Sequence, residues 1–340
     1  MYLICPQKQQ FKANLHSHTN RSDGRLTAPE MIAAYRKAGY QILAITDHES
    51  PKSYLELSGP DFLLLTGYEA YIRPDPSYVS DPYAPEVHLN LFARDPRNET
   101  IICYNDRSTK YRTPEEKAAL KKAGSQRIRE YTAEYINEFI RTAKENGYLV
   151  SYNHPVWSME TEERILSYEG CFSLEIMNGT CWVTNGMEYN GALYQKLLLS
   201  GKRMFVHAGD DNHNRAPFGT PACDSFVAWT MILADSLDYS SVYHAMETGE
   251  MYATMGPTFR EVSFDGETVH VECSGAEMIV CHVGSKSPVA VHAPEGADLK
   301  AADLKLPAGA RYVQISVRDR NGRRADTRGY FRDELGLPPL

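Results

Sequence analysis

Two hydrophobic textures divide the chain. Up to about Met255, short apolar runs alternate with stretches whose apolar residues recur three and four apart, the pattern of strands interleaved with helices. Residues 13–16, 41–46, 62–65, 86–92, 148–152, 172–177, 203–206 and 226–233 read as strands. Thr27 followed by Ala28-Pro29-Glu30 reads as a helix start, and Gly39 as its stop. The strongest helical stripe runs over 128–146, with Tyr131, Tyr135, Ile136, Phe139, Ile140 and Ala143 on one face and Gly147 beyond it. Further helices are expected at 191–199 and 241–248. From Gly256-Pro257 onward the runs shorten and alternate with period two, at 260–264, 269–273, 278–283 and 312–317. Turn pairs such as Asp265-Gly266, Ser274-Gly275 and Asn321-Gly322 separate them, which predicts a small all-β sandwich. The expected division is therefore 1–256, an α/β domain, and 257–340, a β domain.

Composition changes this picture only by exclusion. The 340 residues are 42% apolar and 24% charged, which rules out a disordered or low-complexity chain. A net charge of −8 argues against a nucleic-acid polymer as partner, because backbone affinity comes from Lys and Arg. No run approaches the roughly 20 apolar residues that span a bilayer, so no membrane partner is expected. The first sixteen residues lack the apolar core of a signal peptide. Seven widely spaced cysteines without a CxxC read as reduced thiols, and a cytoplasmic setting is expected.

Candidate chemistry lies where the strands end. His16 and His18 are two apart at a strand end, so both imidazoles project to one side. Asp23, His48, Glu69, His88, His154, Asp211 and His213 follow at comparable places along the chain. Each alone is weak evidence, since a lone histidine or strand-end carboxylate is commonly structural. Their recurrence in order at successive strand ends is a different matter, because in a parallel α/β barrel those ends converge on one face. Imidazole and carboxylate without thiolate suit manganese, iron or zinc. Nine donors exceed the needs of one tetrahedral ion, which points to two or three divalent metal ions.

Leu15-His16-Ser17-His18-Thr19 with Ser22-Asp23-Gly24, then Ala44-Ile45-Thr46-Asp47-His48, Gly67-Tyr68-Glu69-Ala70, His88, Asn153-His154-Pro155 and Gly209-Asp210-Asp211-Asn212-His213 resemble the PHP (polymerase and histidinol phosphatase) superfamily. The segment Gly249-Glu250-Met251-Tyr252-Ala253-Thr254-Met255-Gly256-Pro257 resembles the junction of a two-domain branch that includes carbaryl-hydrolase-like metallohydrolases. The resemblance implies a distorted (β/α)7 barrel with a di- or trinuclear metal site. By motif, His16, His18, Glu69 and Asp211 would hold one metal. Glu69 would bridge to a second at His88 and His154, and Asp23, His48 and His213 would hold a third. Asp210 stands where the family often has serine, and the D-x-H spacing favours Asp211 as the ligand.

The implied activity is metal-dependent hydrolysis of a small phosphorylated metabolite or nucleotide by a metal-bound hydroxide. Hydrolysis of a non-phosphorus ester, carbamate or amide is the alternative, and a non-catalytic metal-stabilised binding module is the reading from another class. Asp47 either accepts a hydrogen bond from a ligand imidazole or caps a local turn. Among Arg21, Lys52, Arg73 and Arg215, each close to a ligand motif, Arg215 is the first choice as phosphate anchor. Trp157 is expected in core packing rather than on a substrate ring, Tyr68 in packing, and His207 in a structural role. Glu175 occupies a recurrent family position without an assigned role. The basic stretch 106–122 reads as a solvated loop and helix face.

Overall fold

The computed structural model describes residues 1–340. Its backbone is organised by one fourteen-stranded sheet. Seven strands form the half that carries the candidate ligands. In sheet order they are Phe205–Gly209, Ser173–Asn178, Tyr148–Tyr152, Val87–Ala93, Leu63–Ile72, Ile42–Ile45 and Gln9–Asn14. All neighbours are parallel except Val87–Ala93, which runs antiparallel to both strands beside it. This departs from a uniform (β/α)7 alternation. The reason lies in the connection: a loop, not a helix, joins Leu63–Ile72 to Val87–Ala93, so the chain returns in the opposite sense. No ladder joins Phe205–Gly209 to Gln9–Asn14. Those ends are held by a single bridge between Ser17 and Asn212, and by Thr230, whose hydroxyl bonds both the N–H and the carbonyl of Ala208.

The strands are covered on both faces, and all ten residues of Leu63–Ile72 are buried. Helix Ala28–Lys37 has a complete capping box between Thr27 and Glu30. The long helix spans Ala133–Glu145, burying Tyr135, Ile136, Phe139, Ile140 and Ala143. It starts five residues later than the stripe predicts, because Thr132 takes the N-cap and Arg129 turns inward to a buried partner, Glu49. Three short helices, Pro114–Ala119, Glu162–Ser167 and Gly179–Thr184, were not legible as periodic stripes.

Beyond Met251–Thr254 the same sheet continues through Arg324–Thr327, Tyr312–Arg318, Met278–His282 and Val289–His292. A second, four-stranded sheet of Tyr2–Ile4, Phe259–Phe264, Thr268–Ala276 and Leu299–Lys305 forms a shared core with it, built on Val262, Val271, Ile279, Val313 and Ile315. Leu233 and Tyr252 join that core from the ligand-bearing half. The extreme N-terminus thus pairs with the C-terminal strands, and the large sheet crosses residue 256 without a break.

Candidate metal centre

His16 and His18 follow the Gln9–Asn14 strand, His48 follows Ile42–Ile45, His154 follows Tyr148–Tyr152, and Asp211 and His213 follow Phe205–Gly209. Glu69 lies within the Leu63–Ile72 strand, because antiparallel pairing with Val87–Ala93 prolongs it past the expected end. His88 sits at the start of its own strand, and the reversed direction of that strand brings it to the same face. Backbone shape is specialised here: His154 and Asp211 have φ of 24° and 53°, a region most side chains avoid. Gly209 has no spare room, since a Cβ there would lie 2.6 Å from the His16 Cβ.

The donor atoms of all nine residues fall into overlapping groups: His18, Asp23, His48 and His213; His16, His18 and Glu69; His16, His154 and Asp211; and His48, Glu69 and His88. Glu69 is the hub. Its carboxylate lies 3.2 Å from His16 Nε2, 3.4 Å from His18 Nε2, 3.0 Å from His48 Nδ1, 3.1 Å from His88 Nδ1 and 3.4 Å from His154 Nε2. Asp211 Oδ1 lies 3.0 Å from His18 Nε2 and 3.3 Å from His16 Nε2, and Asp23 Oδ2 lies 3.3 Å from His213 Nε2. His16 Nε2, His18 Nε2, His48 Nδ1, Glu69 Oε2 and His88 Nε2 are buried without a hydrogen-bond partner. Buried polar atoms are rarely left so, and four of these meet around Glu69, as a cation-binding cluster requires, while His88 Nε2 faces Glu86 Oε1 at 3.3 Å. The donor set therefore fits divalent metal ions.

The imidazoles are oriented from behind. His16 Nδ1 donates to Glu175 Oε1 at 2.9 Å, His213 Nδ1 to the Asp211 carbonyl at 2.8 Å, and His154 Nδ1 faces Ser158 Oγ at 3.3 Å. Each bond occupies Nδ1 and leaves Nε2 facing the cluster. Charge is arranged to match. Burial would raise the carboxyls of Glu69, Asp23 and Asp211, but the surrounding imidazoles hold all three below the usual range. Burial would depress His88, but Glu69 and Glu86 outweigh it and raise the imidazole to about 10. His213 is likewise held at about 9 against its burial, by its bond to Asp23 and the nearby Asp211. Burial lowers His18, and the neighbouring His48 and His213 add to the effect.

Asp47 does not touch an imidazole. Its carboxylate accepts from Thr19 N at 2.7 Å, Thr19 Oγ1 at 2.6 Å and Ser22 Oγ at 2.8 Å, so it fastens the turn that carries Asp23. The strand-end turn aims Asp47 and His48 in different directions. Asp210 is also structural: its carboxylate accepts from Phe226, Val227 and Ala228 N–H and from the Tyr35 hydroxyl. His207 is buried beside Ser151 and Ser173, and burial holds it neutral at about 4. The Tyr68 hydroxyl accepts from Ile102 N in the core. Arg215 sits at the mouth, 67% exposed, with Nη2 3.8 Å from Asp23. Arg21 and Lys52 instead pair with Glu116 and Glu99 away from the site.

Trp157 differs from expectation. It is not in the core but lies half-buried with its ring edge-to-face against His154 at 4.8 Å and His88 at 5.4 Å, lining a cavity of about 850 Å³ over the cluster. Several functional side chains had no role legible in the sequence. Glu175 also accepts from His154 N at 3.0 Å and Asn178 Nδ2 at 2.9 Å, and Asn153 Nδ2 donates to Glu69 at 2.7 Å. Behind them, Arg129 pairs with Glu49 and donates to the carbonyls of Cys103, Tyr71 and Ile102. The 106–122 stretch contributes only Lys110 and Tyr111 to the cavity wall, and its helix Pro114–Ala119 is turned outward.

The model of the PHP domain family matches residues 14–112 of the chain. No curated protein matches the chain. Among solved structures, one similar fold is a two-domain protein from Bacteroides vulgatus containing a predicted PHP-like metal-dependent phosphoesterase. It is 12% identical, with a TM-score of 0.44, over 94% of this chain and 93% of that one. A second is a candidate metal-dependent phosphoesterase from Bifidobacterium adolescentis, 17% identical with a TM-score of 0.35, over 61% of this chain and 90% of that one. A third is an amidohydrolase from Chromobacterium violaceum with bound sulfate, 17% identical with a TM-score of 0.38, over 59% of this chain and 87% of that one.

Proposed function

We propose that the protein is a metal-dependent hydrolase of phosphoric esters, acting on a small phosphorylated metabolite or nucleotide. The observation that carries this is the meeting of nine imidazole and carboxylate side chains, with five buried donor atoms left without hydrogen-bond partners. His16, His18, Glu69 and Asp211 would hold one ion. Glu69, His88 and His154, whose imidazoles both face Glu69 Oε1, would hold a second, and Asp23, His48 and His213 a third, with manganese, iron or zinc suited to these donors. Bound there, divalent cations lower the pKa of water towards neutrality and polarise an ester oxygen.

The remaining work belongs to the chain. Glu175 and the Asp211 carbonyl hold the protons of His16 and His213 on Nδ1. Arg215, exposed in the cavity lining, offers a charge-assisted hydrogen bond to a phosphate. A cavity of about 850 Å³ suits a small molecule rather than a polymer. In this reading residues 1–256 are the barrel-type catalytic domain and 257–340 an accessory sandwich. All ligand groups fall within residues 16–213, which supports that division. All seven cysteines are free and no helix is long and apolar enough to cross a membrane; a cytoplasmic location is part of the proposal.

The test is elemental analysis of protein purified without chelator and reconstituted with manganese, iron and zinc, beside a screen of phosphomonoesters, phosphodiesters, carboxyl esters, carbamates and amides. At least two ions per chain and preference for phosphoesters are expected. One ion or fewer overturns the multinuclear site, and better turnover of neutral esters or amides overturns the phosphoester assignment.

A further inference from the structure

The apolar surface of this protein is unevenly placed. Of fourteen exposed large apolar side chains, eight lie on four strand connections and either line the cavity or stand within two residues of one that does. Tyr83 is on the loop before the reversed strand, Trp157 and Met159 follow His154, Trp182 and Met187 follow the Ser173–Asn178 strand, and Phe218 follows Arg215. Two of the three tryptophans are among them. Exposed apolar residues scattered singly need no explanation, but a contiguous set around a concave site does. Trp157, Met159 and Met187 both line the cavity and remain exposed, so this apolar rim is continuous with the cavity wall. Inside, Trp157 adjoins His88 and His154, whereas Arg215 adjoins Asp23 beside His213. The cavity thus has an apolar wall beside His88 and His154 and an exposed cation, Arg215, beside Asp23 and His213, while Arg73, close to His88, is already paired with Glu86.

We propose that the substrate is an amphiphilic anionic ester: its charged ester group sits at the cluster, and an extended apolar group leaves across the rim formed by Trp157, Met159 and Met187. This rests on the hydrolase reading above and specifies its substrate class. A compact polar metabolite leaves the rim unused. An apolar chain of several carbons covers it and removes both partners from water. Flexible methionine side chains accommodate such a chain without one fixed shape.

The experiment uses metal-loaded full-length protein and two homologous series, ethyl to octyl phosphate and ethyl to octyl esters of one carboxylic acid, all below their micellar concentrations. Burial of only two added methylenes raises kcat/KM by about tenfold. The expected result is at least a tenfold rise from ethyl to octyl phosphate. Tighter binding of octylphosphonate than ethylphosphonate, read by tryptophan fluorescence, should accompany it. In the double variant Met159→Ser, Met187→Ser the octyl-to-ethyl ratio should collapse towards one. A ratio taken on a single preparation is unaffected by loss of folded protein. Equal rates for short and long chains in both series overturn the amphiphile proposal and leave the phosphoester reading standing. Chain-length dependence only among the carboxylic esters, with no phosphate turned over, overturns the phosphoester reading and keeps the apolar subsite.

Discussion

Glu175→Gln is nearly isosteric, yet it should weaken metal binding sharply. In the native protein Glu175 accepts three hydrogen bonds, from His16 Nδ1 at Oε1 and from His154 N and Asn178 Nδ2 at Oε2. A glutamine has one acceptor oxygen and one donor group. The His154 N–H is fixed backbone, and Asn178 cannot flip freely because its Oδ1 already accepts from Cys181 N. The amide oxygen must therefore take the Oε2 position, which turns the NH2 towards His16 Nδ1. That nitrogen must then accept, its proton moves to Nε2, and the lone pair facing Glu69 and Asp211 is lost. Changes to partners of this kind typically cost 10- to 100-fold in metal affinity, or about 1.4–2.7 kcal/mol. Competition with a chromophoric chelator, using manganese and zinc in turn, measures the affinity directly without reference to turnover. His207→Ala is the control: equally buried, but bonded to Ser151 and Ser173 rather than to a ligand, it should leave metal affinity near native. If Glu175→Gln binds metal within twofold of wild type, the tautomer argument is wrong. If His207→Ala also loses metal, the ligand set has been drawn too narrowly.

Three other outcomes follow from the structure. Arg129→Met leaves the fully buried Glu49 carboxylate and three carbonyls without their partner. It should cost about 3–5 kcal/mol in urea unfolding, partly recovered by adding Glu49→Gln, and a loss under about 1 kcal/mol would show that the pair is not a brace. Arg215→Ala should lower phosphoester kcat/KM by about tenfold, the lower end for a charge-assisted hydrogen bond because the side chain is largely exposed. An equal fall for a neutral ester would mean that Arg215 does not anchor phosphate. The exposed His270 is raised above its ordinary 6.5 by hydrogen bonds to Asp303 and Asp265. Because the folded value is the higher one, this stabilisation is fully present below about pH 6.5 and is lost as pH rises through the folded value. An NMR titration should place His270 above 6.5, and His270→Asn should remove that part of the pH dependence; a midpoint at or below 6.5 contradicts the contact.

What the sequence determined by itself was local. Short apolar runs located most strands, start and stop residues bounded the helix Ala28–Lys37, and one apolar stripe marked the helix Ala133–Glu145, because burial of one face and the capping of helix ends write themselves into near neighbours along the chain. Motif spacing singled out the nine residues whose donors the structure brings into overlapping groups, most of them just past the end of a strand. What only the tertiary structure decided involves groups far apart in the chain. Hydrogen bonding of Glu175 to His16 spans 159 residues, and that of Arg129 to Glu49 spans 80; neither has a periodic signature. The same holds for the reversal of Val87–Ala93, which depends on a loop path, and for Tyr2–Ile4, three residues too short to show a period, which find their partner strand at Phe259–Phe264. Asp47 and Trp157 show the limit most clearly. Their positions beside ligands were evident in the chain, but the direction of each side chain is set by what packs around it, and that turned Asp47 onto Thr19 and Ser22 and left Trp157 half in solvent over His88 and His154.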